Sequence, residues 1–272
     1  GMLGGTYHPD SIRFATKKVV EKKGGTFIHG KAVSIDPVQQ QVFLEGEEEP
    51  VDYDVLSCNA GSYVPRNRIV AETQEIFTAK PIEALLDAQK KIIDLSKKGV
   101  VRVAVVGGGP SAVEVAGNVQ QLASQQCENQ VIINLFAGKR LMSKQAPRIG
   151  QLAGKSLTRR GVNVIEGTYA SEIGNGRVNL ENGESYDADV IFPCVGVKPN
   201  DIFTRSGLPT GHDGGMMTNK YLQSTGYDNI FGGGDCIYFE PEPLDKVGVY
   251  AVRENPVLYH NLLATLEGKP LK

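Results

Sequence analysis

Val100-Val101-Arg102-Val103-Ala104-Val105-Val106-Gly107-Gly108-Gly109-Pro110-Ser111-Ala112 decides how this chain is read. Seven residues, all but Arg102 apolar, run into three glycines. Such a run is the pattern of a strand buried on both faces of a parallel sheet. The glycines and the stretch Ser111–Ser124 behind them predict a tight turn and a helix. Val131–Phe136 predicts the next buried strand. Gly107, Gly109 and Ala112 fit the spacing G-x-G-x-x-G/A in the strand–turn–helix–strand context that makes the pattern informative. Gly107 permits the turn, Gly109 removes the Cβ from the path of a pyrophosphate, and Ala112 lets helix and strand pack closely. The helix then offers its unpaired N–H groups and positive dipole end to an anion, with Gly108, Pro110 and Ser111 in the same loop.

An acid usually closes such a site by binding a ribose 2′-OH from the end of the second strand. Here Leu135-Phe136-Ala137 is followed by Lys139 and Arg140 instead. A basic pair can hold a 2′-phosphate, and it can equally be solvated surface, so NAD and NADP both stay open.

Outward from this unit, strands and helices alternate, which predicts an α/β protein. Helices are expected over 8–23, 78–97, 149–160 and 255–266. Strands are expected over 26–29, 31–36, 40–44, 51–57, 162–166, 171–180, 184–186 and 189–194. Asn182-Gly183 marks a hairpin turn. A second glycine cluster, Gly232-Gly233-Gly234, ends in Asp235, which can accept hydrogen bonds from sugar hydroxyls.

The 272 residues carry a net charge of -2, with 40% hydrophobic and 22% charged residues. Such a soluble composition gives no reason to expect nucleic acid as a partner. No apolar run approaches the ~18–20 residues of a membrane span. The N-terminus lacks the pattern of a signal peptide, so a cytoplasmic location is expected. Cys58, Cys127, Cys194 and Cys236 form no C-x-x-C pair, no His/Cys spacing suggests a metal, and buried free thiols are the expectation. His8, His29, His212 and His260 lie in no motif, and no residue is singled out as catalytic.

Four stretches, in order, carry a resemblance to the FAD-dependent pyridine nucleotide-disulfide oxidoreductase superfamily, in its type II NADH dehydrogenase-like branch. They are Tyr53-Asp54-Val55-Leu56-Ser57-Cys58-Asn59-Ala60-Gly61-Ser62, Gly107–Gly117 with Glu114, Thr225–Asp235, and Lys246–Arg253 followed by Pro256 and Asn261. The resemblance implies Rossmann-like FAD- and NAD(P)-binding folds. Residues 1–76 and 199–272 would form one flavin domain, with a nicotinamide domain, 77–198, inserted in it. It implies NAD(P)H contacts at Gly107–Ala112, Glu114, Lys139, Arg140 and Gly196, and FAD contacts at Ala60, Gly61, Gly234, Asp235, Val249 and Tyr250. Hydride would pass from NAD(P)H through FAD to a quinone or other small-molecule acceptor.

Against the family pattern, an N-terminal FAD glycine motif and a C-terminal domain are missing. Strand 229–232 is therefore expected to lose its partners and to expose an apolar face or open edge, with oligomerisation as one way to cover it. The alternative is an NAD(P)-binding module that turns nothing over.

Overall fold

The computed structural model describes residues 1–12, 14–66, 69–70 and 73–272. The chain forms two compact units, one of Gly1–Phe14 with Val64–Gly196 and the other of Ala15–Tyr63 with Val197–Lys272.

The first unit is built on strands β1 (Val101–Val106), β2 (Val131–Phe136), β3 (Val162–Ile165) and β4 (Val190–Pro193), all parallel, in the order β4-β1-β2-β3. Helices α1 (Glu83–Ser96), α2 (Pro110–Gln126) and α3 (Pro147–Arg159) belong to the same unit. The period of two divides each strand between two cores. Val103, Val105, Leu135 and Phe192 pack with Ile92, Ala116 and Leu157 from the helices. Ala104, Val106, Phe136 and Ile191 pack with Ile173, Val178 and Leu180 from an antiparallel sheet of Ala170–Gly174, Arg177–Leu180 and Ser185–Asp187. Both faces are therefore dry, which is what the unbroken aliphatic runs require.

Gly1–Phe14 and Val64–Gly196 make up the unit that holds the parallel sheet. Residues 75–77 line its β4 edge, where Ile191 N–H donates to the Glu75 carbonyl (2.7 Å) and Phe77 N–H to the Ile191 carbonyl (2.9 Å). Leu3 is buried, and Asn118 and Gln121 of α2 hold the backbone of Gly4.

In the second unit, Ile230–Gly232 (β5) pairs in parallel with Leu56–Cys58. It was expected to be stripped of partners, and it is not. On its other edge Ser224 N–H donates to the Ile230 carbonyl (2.7 Å) and Gly232 N–H to the Leu222 carbonyl (3.0 Å), and Ile230 and Phe231 are fully buried. Exposed apolar side chains of this unit include Val252, Tyr259 and Leu266 on helix α4 (Gly248–Leu266), and Val19, Ile28 and Val38 outside it.

Other elements depart from expectation for local reasons. The stretch 8–23 is two short helices, Pro9–Ile12 and Thr16–Lys22, neither burying a residue, with Arg13 between them outside the described residues. Its rough apolar stripe meets no core, so nothing joins the turns into one helix. Thr26–His29 forms no strand, and 51–57 divides between Val51–Asp52 and Leu56–Cys58, in different sheets. The expected strand 171–180 is broken by Asn175-Gly176, both at positive φ (52° and 70°), a second Asn-Gly hairpin turn. Helix α4 starts seven residues before the expected Asn255 and runs through Pro256. Among the described residues, no helix is long and apolar enough to cross a membrane.

Phe192 is 1% exposed and lies against Phe77, with ring centroids 6.3 Å apart. Phe192→Ala should lower unfolding stability in urea by about 3–5 kcal/mol. A change under about 1 kcal/mol would contradict the packing described.

Candidate functional site

At the carboxyl end of the parallel sheet three strands converge on one turn. Gly107 N–H donates to the Phe136 carbonyl (2.9 Å), and Cys194 N–H to the Val106 carbonyl (2.7 Å). A Cβ on Gly107 would lie 2.1 Å from the Cys194 carbonyl oxygen, and φ there is +144°. A Cβ on Gly108 would lie 2.3 Å from the Ala137 carbonyl oxygen. Packing alone therefore demands these two glycines. Gly109 is different. It is the N-cap of α2 at φ -88° and ψ -177°, open to any residue, and a Cβ on it would meet nothing within 4 Å. The space in front of it is open, at the helix end where N–H groups lack partners.

Pro110 fills the first turn of α2, where its missing N–H costs nothing. The turn holds no acidic residue. Ala112 is fully buried between helix and sheet, as the spacing requires, while Ser111 and Glu114 are exposed. The glycine turn thus offers amides and a positive dipole end with no carboxylate in that first turn.

The loop after β2 crosses this turn. Met142 N–H donates to the Gly108 carbonyl (2.6 Å). Lys139 is exposed. Arg140 is half-buried, and its guanidinium donates to the carbonyls of Ser143 (3.1 Å) and Gln145 (3.4 Å). A carboxylate does stand nearby, which the sequence did not disclose because it belongs to the next strand. Glu166, just after β3, accepts the Leu141 N–H at 2.6 Å. Gly196 takes φ +94° where the chain leaves this unit.

In the second unit, a separate site gathers around the other glycine cluster. β5 ends at Gly232 beside Cys58, and Gly233 N–H donates to the Cys58 carbonyl (3.2 Å). Gly234, at φ +73°, opens a turn of 3-10 helix through Cys236, and its N–H donates to the Glu254 carboxylate (2.6 Å). Asp235 accepts the Ser62 hydroxyl (2.7 Å), which joins it to the Asn59-Ala60-Gly61 turn. Gly61 takes φ +63° and accepts Asn200 N–H. Gly234, Asp235 and Tyr250 line one small cleft with Lys246 and Glu254. Val249, in the same first turn of α4, is not part of that lining and is 47% exposed. A neighbouring open groove of about 300 Å³ is lined by residues of α4, among them Ala251, Glu254, Asn255 and Leu258, together with Asn59 and Gly233.

Ser62, Lys246 and Glu254 were not singled out in sequence. Their roles come from partners far along the chain. Lys246 pairs with Asp213 at 2.9 Å and donates to the Ile237 carbonyl, fixing the segment that leads into α4. Ser62 alone had a visible signal, its place directly after the small-residue turn.

All four cysteines are free. Burial pushes the Cys194 thiol up to about 12 and raises those of Cys58 and Cys236. The Cys236 Sγ contacts the carbonyls of Cys58 and Gly233, each at 3.3 Å. Cys58 and Cys236 are buried in the core of the second unit, where such thiols pack as small apolar groups, and Cys194 is half-buried. Among the described residues no group of three His, Cys, Asp or Glu side chains is placed to hold a metal ion.

The model of the pyridine nucleotide-disulphide oxidoreductase family matches residues 3–261, and the chain belongs to that family. Ferroptosis suppressor protein 1 of Taeniopygia guttata is 30% identical over 265 residues, which are 92% of this chain and 66% of that protein. Demethylphylloquinone reductase NdbB of Synechocystis sp. (strain ATCC 27184 / PCC 6803 / Kazusa) is 24% identical over 93% of this chain and 65% of its own length. The fold matches the water-forming NADH oxidase of Lactobacillus brevis bound to NADH, with a TM-score of 0.80 and 19% identity, over 100% of this chain and 60% of that one. The chain thus spans about two thirds of the length of these relatives.

Because the fold buries them, Cys58 and Cys236 should resist a thiol-specific reagent at pH 7 until denaturant opens the structure. Fast labelling of either in the native protein, read by peptide mass spectrometry, would contradict this assignment.

Proposed function

We propose that this member of the pyridine nucleotide-disulphide oxidoreductase family passes hydride from NAD(P)H through FAD to a quinone or other small-molecule acceptor. It would do so as part of the type II NADH dehydrogenase-like branch. The observation that carries the reading is Gly109. Neither its backbone angles nor its neighbours call for glycine. A ligand approaching the α2 N-terminus does, because a Cβ there would stand between the amides and a pyrophosphate.

The flavin supplies the hydride and electron chemistry when bound. The chain supplies position. The α2 N-terminal amides hold the pyrophosphate, Gly107 and Gly108 keep the turn tight enough to present them, and Glu114 and Gly196 contact the nicotinamide half. Asp235, held by Ser62, has the chemistry to accept hydrogen bonds from ribityl hydroxyls. Ala60, Gly61 and Gly234 keep side chains out of the way along that path. Val249 and Tyr250 present apolar surface from the first turn of α4 to the flavin ring. No side chain is assigned as an acid, base or nucleophile.

The names of the relatives support the acceptor class. One relative is named as a demethylphylloquinone reductase, so a quinone is the acceptor class to try first.

Gly109→Ala and Gly107→Ala separate ligand approach from packing. Gly109→Ala should shift unfolding stability by less than about 1 kcal/mol. It should weaken NAD(P)H binding, read by calorimetry, by at least about tenfold. Gly107→Ala should lose the fold itself, since its Cβ would overlap the Cys194 carbonyl. Unchanged binding by Gly109→Ala would overturn the reading.

A further inference from the structure

We propose that the dinucleotide site after β2 selects the 2′-phosphorylated cofactor, NADPH, with Lys139 and Arg140 as the residues that read the phosphate. This rests on the dinucleotide-binding reading above and narrows it to one substrate.

The first observation is the distribution of charge. The chain as a whole carries -2. Residues 137–148, from the end of β2 into the first turn of α3, contain Lys139, Arg140, Lys144 and Arg148 and no Asp or Glu. Cations next to a helix N-terminus favour a ligand with more negative charge. NADPH differs from NADH by one phosphate, about -1.5 to -2 charges at neutral pH by analogy with other phosphomonoesters.

The second observation is how the two cations are held. The Met142 N–H bond to the Gly108 carbonyl ties their loop across the glycine turn. Gly138 sits at φ +68°, and a Cβ on it would collide with the Tyr169 ring at 2.6 Å, so the backbone turns sharply just before Lys139. The Arg140 guanidinium is fixed by two carbonyls of its own loop, at Ser143 and Gln145. Those bonds use one of its nitrogens, and a guanidinium has five N–H donors in a rigid fork. A pre-placed guanidinium loses little entropy on meeting a phosphate, and the bonds it makes are charge-assisted.

The third observation concerns the competing cofactor. Recognition of an unphosphorylated ribose calls for a carboxylate at the end of the second strand. Ala137 stands there, buried. The neighbouring carboxylate, Glu166, holds the Leu141 backbone N–H at 2.6 Å, the residue directly after Arg140. It thereby acts as a positioning residue for the loop that carries the cations.

Isothermal titration of the full chain with NADP+ and with NAD+, at low salt, tests the proposal without any flavin. NADP+ should bind at least about tenfold tighter, the worth of one charge-assisted hydrogen bond. Lys139→Ala/Arg140→Ala should abolish the preference, bringing the affinity for NADP+ down to that for NAD+. Because Arg140 also anchors its loop, Lys139→Glu serves as the second variant. It keeps those anchors and should reverse the preference, with an unchanged melting temperature. Equal binding of the two nucleotides by the wild-type chain, or tighter NAD+, would overturn the selectivity while leaving the dinucleotide site standing. So would variants that bind NADP+ as well as the parent does. Binding of neither nucleotide would overturn the dinucleotide reading and this proposal with it.

Discussion

Two carbonyl oxygens, of Cys194 and Ala137, close on the turn at Gly107-Gly108 to distances no Cβ tolerates, and the first unit is organised around that closure. The carbonyls belong to the chain just after β4 and β2, the strands flanking β1, so all three must end at the same level. Helix α2 must then leave β1 at once, with Ala112 buried against the sheet. The next loop is drawn across the turn by Met142. One steric constraint thus sets strand register, helix direction and the position of the cationic loop. It also leaves the α2 amides facing open space at Gly109.

Elements under strong two-sided burial were legible in the sequence. Val131–Phe136 is the same in both descriptions, and β1 differs by one residue, because continuous aliphatic runs have few other ways to be satisfied. Elements held from outside were not. Nothing local distinguishes 8–23, which finds no core, from a true amphipathic helix. Helix α4 extends upstream of Asn255 because its first turns serve the glycine cluster, where Glu254 takes the Gly234 N–H. Ile230–Gly232 keeps both edges paired because 222–224 folds back along it, a local return that a family pattern does not reveal.

The candidate sites divide in the same way. Glycines and Asp235 declare themselves by type and spacing. Ser62, Glu166 and Lys246 act through a bond to Asp235, a bond to the Leu141 backbone and an ion pair with Asp213. Separations of 173, 25 and 33 residues along the chain hide such partnerships from any local pattern. The thiols illustrate the converse. Cys236 directly follows Asp235, which invites a redox role by position. Burial and contacts with two carbonyls make it a structural group instead.

Transfer of hydride from a bound pyridine nucleotide to a flavin is the central claim, and anaerobic visible spectroscopy of the purified protein, supplied with FAD, addresses it directly. The account predicts that FAD binds and that its visible band bleaches on adding NADPH, more readily than on adding NADH. A protein that binds FAD and NADPH yet leaves the flavin oxidised would contradict it.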